Sequence, residues 1–312
     1  MALKRILPPR LRAGDVIGVV APSTPVGPAL QGQLDHGSAF LRSLGFEVRL
    51  APHVSAATLG FAATGVEKAA DLNACFADQG VRAVMCAQGG LTANACLDHL
   101  DWDLIRRNPK PFIGISDITV LLTAISVRTG LVTLHGDDLL WGLGRSITDY
   151  NRSEFVAGLM SARSGPIPAN RPRAALRDGR AEGPLWGGNL TALLKLAGTP
   201  YWPDLSGAIL FLEDIDLAAD RCECALMQLA QMGVFDQVAG VVIGYIDGQD
   251  GVSPTGHTLG DILLRLTRSA RFPILKTEDF GHNCPNAYLP VGGLARLDAG
   301  RCELALLEPC VA

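Results

Sequence analysis

Apolar residues in the first half of the chain fall in short continuous runs, separated by stretches with helical spacing. Asp15–Ala21 reads as a first strand, and Phe46–Leu50, Ala83–Ala87, Phe112–Ile115 and Leu131–His135 repeat the type. Between them, Ala29–Leu44, Val66–Ala77, Ala93–Leu100 and Asp117–Val127 place apolar residues three and four apart, the pattern of helices with a face on a core. Strands that are apolar throughout and alternate with helices predict an α/β architecture: a doubly wound parallel sheet covered on both faces. In such sheets ligands bind beyond the carboxyl ends of the strands. Gln88-Gly89-Gly90, Ser116 and His135 all fall at such ends.

The pattern lapses between about Thr148 and Gly183, where Arg, Ala, Gly, Pro and Ser dominate. This predicts an N-terminal domain over 1–150, a linker or surface excursion over 151–183 with Arg171, Arg173, Arg177 and Arg180 in solvent, and a C-terminal domain over 184–312. In the C-terminal part, Gly187-Gly-Asn-Leu190 is expected to open a helix reaching about Ala197. A strand at Ala208–Leu212, a helix at Arg221–Met232, a strand at Gly240–Tyr245 and a helix at Leu259–Ser269 follow. Short strands near 273–275, 287–291 and 301–307 make this half a strand-rich α/β domain.

Composition narrows the function. With 48% hydrophobic and 19% charged residues, the 312-residue chain has ample material for a core and none of the character of disorder. A formal charge of −4 argues against a nucleic-acid partner, which selects a basic face. No apolar run reaches membrane-spanning length, and Pro8 and Pro9 interrupt the N-terminal one, so neither a membrane nor a secretory role is expected. Several of the eight cysteines lie inside apolar stretches, where a reduced thiol packs as a small hydrophobe, and a cytoplasmic location follows. Cys222-Glu-Cys224 is too tightly spaced for a zinc pair. Gly89-Gly-Leu-Thr92 matches neither dinucleotide nor P-loop spacing, so no metal and no cofactor are expected.

Candidate chemistry centres on Ser116. An apolar strand ends at Ile115 and a helical pattern starts at Asp117, so the serine sits at a strand-to-helix corner. That is the geometry of a nucleophile elbow. It is also the position of a helix N-cap, the commoner role for a serine there. A nucleophilic serine needs a base, a group orienting the base, and donors for the oxyanion. His282 lies in the turn-rich stretch Phe280-Gly-His-Asn-Cys-Pro-Asn286 and can serve as the base, whereas His135 ends an apolar strand and can equally be structural. Glu213 follows the apolar run Ala208–Leu212 and can hold the imidazole or cap the next helix. The N–H groups of Gly90 and Asp117 suit an oxyanion hole, and Gly89 permits close backbone approach.

In this order the residues carry a resemblance. Leu11–Pro22, Gly114-Ile-Ser-Asp117, Leu134-His-Gly136, Gly187-Gly-Asn-Leu190, Leu212-Glu-Asp214 with Asp220-Arg221, Gly240-Val-Val-Ile-Gly244 and Gly281-His282 with Leu289-Pro-Val-Gly292 resemble the LD-carboxypeptidase family of serine peptidases. That family includes murein tetrapeptide carboxypeptidases and microcin C self-immunity hydrolases. The resemblance implies a flavodoxin-like or amidotransferase-like N-terminal half and a homodimer. It also implies a triad of Ser116, Glu213 and His282, with an acyl-enzyme formed during murein recycling on a small peptide substrate.

There are departures. The family commonly reads Arg-Gly-Gly-Tyr-Gly where this chain has Gln88-Gly-Gly-Leu-Thr92, which removes a guanidinium fork suited to a carboxylate. The usual proline after His-Gly is Asp137. Gln88, Gly89, His135, Trp186 and Asn189 are the expected substrate contacts, Trp186 by stacking on a ring. A detoxifying hydrolase of peptidyl-nucleotides and a non-catalytic small-molecule binding module are the alternative readings.

Overall fold

A computed structural model describes residues 3–249 and 257–312. The strands of the first half are β1 (Val16–Val20), β2 (Glu47–Leu50), β3 (Val81–Cys86), β4 (Phe112–Gly114) and β5 (Thr133–His135). They are followed by β6 (Gly165–Pro166), β7 (Ala174–Arg177), β8 (Arg180–Asn189), β9 (Ile209–Asp214), β10 (Gly240–Ile246), β11 (Ile274–Gly281), β12 (Leu289–Val291), β13 (Leu294–Asp298) and β14 (Glu303–Leu306).

The first sheet runs β12, β5, β4, β3, β1, β2, and every neighbouring pair from β5 to β2 is parallel. The order 2-1-3-4-5 is that of flavodoxin-like sheets, whose ligand crevice opens at the carboxyl ends of β1 and β3. Burial of β3 and β4 on both faces explains why they read as unbroken apolar runs.

The helix Thr119–Thr129 is buried at almost every position, Thr119 to Ser126 included, because it packs against β4 and β5 on one side and β8 on the other. Gly130, in the left-handed conformation at φ 77°, ends it.

The second sheet runs β6, β14, β13, β8, β9, β10, β11, β7. β8 to β11 are parallel at its centre, and antiparallel strands flank them. Three expectations change here. The 151–183 segment contains the π-helical turn Val156–Met160, β6 and β7. Arg173, expected in solvent, is buried against Asp279, its Nε 2.7 Å from Oδ2, and its guanidinium also reaches the Ile167 and Cys302 carbonyls. A buried guanidinium satisfied on several sides anchors this segment to the second sheet, which composition alone does not reveal.

Gly187-Gly188 ends strand β8 instead of opening a helix, and the helix Leu190–Leu194 is one short turn. Finally, β12 leaves the C-terminal half and pairs antiparallel with β5, closing the first sheet. Pro290 is tolerated there because β12 is an edge strand. One apolar core accordingly draws residues from both halves, while a second lies within the C-terminal half. No helix among the described residues is long and apolar enough to cross a membrane.

Candidate active site

β4 ends at Gly114, Ile115 is extended, and Ser116 turns back at φ 66° before a short 3-10 turn leads into the helix Thr119–Thr129. A serine gains nothing from a left-handed backbone unless its surroundings impose it, and such strain collects at functional corners. The N-cap alternative does not hold, since the cap positions are Ile115 for the 3-10 turn and Ile118 for the helix, neither with a side-chain cap bond.

The Gln88-Gly89-Gly90 turn after β3 meets this corner. A Cβ on Gly89 would fall 2.6 Å from Ser116 Cβ, 2.7 Å from its Oγ and 3.3 Å from the Asp117 N. Only glycine lets the two loops touch. Gly90 is held at φ 144°, where a Cβ would meet Thr24 Oγ1 at 2.1 Å.

The Asp117 carboxylate, 1% exposed, fastens the corner to its neighbours. It accepts from Ser23 Oγ at 2.6 Å, from the Ala93 N–H at 2.8 Å and from Lys195 Nζ at 2.5 Å. Lys195 also donates to the Leu91 carbonyl at 3.0 Å, so a residue of the C-terminal half holds the glycine turn.

Glu213 lies within β9 and is fully buried, while His282 directly follows β11. Strand register brings them to one end of the sheet: Ile246 of β10 pairs with Asp214, and Tyr245 with Gly281. His282 Nδ1 stands 2.6 Å from Glu213 Oε2. Burial works to raise the Glu213 carboxyl, but the facing His282 outweighs it, with help from His135, and holds it down at about 2. Burial works to lower His282, yet the Glu213 charge and hydrogen bond, joined by the charges of Asp138 and Asp214, together raise it above the ordinary imidazole value. Neither acid caps the next helix, Ala219–Gln231, whose N-cap is Ala218 without a side-chain bond. Asp214 instead accepts from Thr191 N at 3.0 Å, Thr191 Oγ1 at 2.6 Å and Asn189 Nδ2 at 2.8 Å.

Ser116, His282, Gln88, Gly89 and Gly90 line a single cavity of about 730 Å³, together with residues from 137 to 151 and 281 to 286. That is ample for a short peptide. Gln88 also braces the wall: its Nε2 donates to the Pro25 carbonyl at 2.8 Å, and its Oε1 accepts from Trp141 Nε1 at 2.9 Å.

Asp137 and Asp138 are buried beneath the cavity. Asp137 accepts from Asn151 Nδ2 at 2.8 Å and Asn286 Nδ2 at 2.9 Å, and burial pushes its carboxyl up to about 7. Asp138 accepts from the Trp141 and Gly142 N–H groups, and burial raises it to about 6. Asn286 in turn accepts from the Gly281 N–H at 2.8 Å, joining the loop after β5 to the His282 loop.

Three expected substrate contacts lie elsewhere. Trp186 packs against both cores, beneath Gly292, where a Cβ would come 3.4 Å from its ring. Asn189 caps the helix Leu190–Leu194 through the Ala192 N–H at 2.9 Å. His135 is fully buried between Phe211 and Phe280, its Nε2 3.8 Å from Glu213 Oε1, where it supports the acid from behind. All three lie in or at the ends of strands β5 and β8, and strand ends are as often packed under a site as open to it. Ser23, Asn151, Asn286, Trp141, Arg145 and Lys195 enter the site through tertiary contacts between loops and carry no local signal.

The LD-carboxypeptidase N-terminal domain matches residues 17–136 and the LD-carboxypeptidase C-terminal domain matches residues 182–297. The chain belongs to the LD-carboxypeptidase family. It is a serine peptidase of that family, with the mixed α/β fold of its relatives.

A probable murein peptide carboxypeptidase of Bacillus subtilis (strain 168) is 33% identical over 303 residues, covering 96% of this chain and 94% of the relative. The structure of muramoyltetrapeptide carboxypeptidase from Oxalobacter formigenes is 29% identical with a TM-score of 0.79, covering 93% of this chain and 97% of that one. The Escherichia coli microcin C7 self-immunity protein MccF is 27% identical, covering 96% of this chain and 94% of the relative. MccF in complex with aspartyl sulfamoyl adenosine aligns at a TM-score of 0.91 and 26% identity, covering 98% of this chain and 100% of that one.

Proposed function

We propose that this LD-carboxypeptidase family member removes the terminal residue from a short murein-derived peptide, cleaving the amide between an L-centre and a terminal D-amino acid. The observation that carries the reading is a strained serine and an imidazole held by a buried carboxylate opening into one peptide-sized cavity.

Nδ1 of His282 is engaged with Glu213, which leaves Nε2 for the Ser116 hydroxyl. Ser116 Oγ forms a bond to the scissile carbonyl carbon as its proton passes to His282. The N–H groups of Gly90 and Asp117 receive the developing oxyanion. The C–N bond then breaks, His282 returns the proton to the leaving amine, and the acyl group remains on Ser116. Water, deprotonated by His282, attacks that ester, releasing the shortened peptide and restoring the serine. Glu213 keeps the imidazole in the required tautomer and stabilises the imidazolium.

A fluorophosphonate probe read by intact mass tests the nucleophile: one adduct is expected on wild type and none on Ser116→Ala. Incubation with murein tetrapeptide tests the substrate, with D-alanine the expected product. Labelled protein that releases no D-alanine would discard the murein substrate. Equal labelling of both proteins would discard Ser116.

A further inference from the structure

A carboxypeptidase must distinguish a free terminal carboxylate from the same peptide continued or blocked, and a fixed cation does this best. Among the described residues lining the cavity, Arg145 is the one arginine or lysine. The other ionisable groups of the wall are committed: His282 to Glu213, Asp137 to two asparagines, Asp138 to two backbone N–H groups and the Cys284 thiol to the Gly281 carbonyl.

Arg145 is at the mouth and is pre-placed. Its guanidinium carbon lies 4.5 Å from the centre of the Trp141 ring, and Nη1 donates to Asn283 Oδ1 at 2.9 Å. Asn283 is the residue after His282, so this bond ties the cation to the loop of the base. Trp141 is itself fixed, its indole N–H on Gln88 and its backbone N–H on Asp138. Gly144 lies against the Leu140 and Gln33 carbonyls, where a Cβ would come within 2.4 and 2.6 Å, so the segment carrying Arg145 is packed down on the helix Gln31–Ser43. A stacked guanidinium loses little freedom on binding, and four of its five N–H groups have no acceptor among the described residues.

We infer that Arg145 receives the terminal carboxylate of the peptide, so that selection for an unblocked C-terminus resides at this residue. The identity of the ligand rests on the carboxypeptidase reading above. The fork of a guanidinium matches both oxygens of a carboxylate and has no comparable partner in an amide.

The test reads binding without turnover. Ser116→Ala protein is titrated calorimetrically with Nα-acetyl-L-lysyl-D-alanine and with its C-terminal amide. The acid is expected to bind roughly tenfold tighter or more, the scale of a lost charge-assisted hydrogen bond. Adding Arg145→Met should remove most of that preference while the thermal unfolding curve stays in place. Arg145→Lys should keep part of it, since the charge remains and the fork is lost. Equal binding of acid and amide, no binding of the acid, or an undiminished preference in Arg145→Met overturns the inference. If the acid is held through Arg145 but wild type releases no D-alanine, the catalytic reading fails and the carboxylate subsite stands.

Discussion

His282 Nδ1 meets Glu213 Oε2 at 2.6 Å across 69 residues of chain, and this contact decides how the site responds to pH. In the proposed mechanism His282 must be neutral to accept the Ser116 proton, and the Glu213 carboxylate helps raise it above its ordinary value of 6.5. The acid limb of kcat/KM is therefore expected above pH 6.5, with activity falling as pH drops through it. Glu213→Gln removes the charge that raises the imidazole, so the limb should move down while kcat falls by roughly three to four orders of magnitude. A pH–rate profile of both proteins measures this. A limb that stays in place in Glu213→Gln would mean another group is the base.

The contact between Gly89 and Ser116 is as close as two loops can come. A methyl group on Gly89 would sit 2.6 Å from Ser116 Cβ and must push the elbow aside. Displacing a nucleophile by about 1 Å costs on the order of a hundredfold in rate. Gly89→Ala is thus expected to lose at least that much in kcat/KM and in probe labelling, with its circular dichroism spectrum unchanged. Near-normal labelling would show that the elbow does not depend on this approach.

Much of this site is legible in the sequence because its parts are local. The corner at Ser116 follows from a strand and a helix abutting within about ten residues, and the glycine pair follows directly after β3. Glu213 stands out as an acid after an apolar run and His282 as a histidine in a turn-rich stretch, but the register across β10 that unites them depends on pairings between distant segments. The same limit hides β12, whose return to β5 reverses the order of chain and space, and the burial of Arg173 by Asp279. Trp186 and Asn189 mislead because an aromatic or an amide beside paired glycines looks like a ligand contact, whereas the helix Thr119–Thr129 packs where a ligand would lie. Thr119 Oγ1 accepts the Asn189 N–H at 3.0 Å, and a Cβ on Gly188 would collide with that threonine.

Lys195 joins the halves of the molecule at the elbow. Lys195→Met leaves the buried Asp117 carboxylate with Ser23 and the Ala93 N–H alone. Losing one partner of a buried pair costs about 3–5 kcal/mol, and partial exposure of Lys195 reduces this to about 1–3 kcal/mol. Urea unfolding should show the loss as a lower midpoint at unchanged slope, accompanied by slower labelling of Ser116. A variant as stable as wild type would show that the ion pair is immaterial.

Asp137 gives the fold itself a pH dependence. Burial lifts its carboxyl from the ordinary 3.8 to about 7, against the opposing bonds from Asn151 and Asn286, while nearby Asp138 adds to the rise. A carboxyl raised in the folded state contributes its full stability below the unfolded value, and that contribution is lost as pH climbs through the folded value. Wild-type stability should therefore decline between about pH 4 and pH 7 on account of this group. Asp137→Asn cannot ionise and still accepts one of the two amide bonds through its side-chain oxygen. Its Tm relative to wild type is expected to rise between pH 5 and pH 8, by an amount on the order of 2–3 kcal/mol in stability. Calorimetric scans of both proteins at the two pH values measure it. A Tm difference that is the same at both, or larger at pH 5, would show that Asp137 is ionised in the folded protein throughout this range.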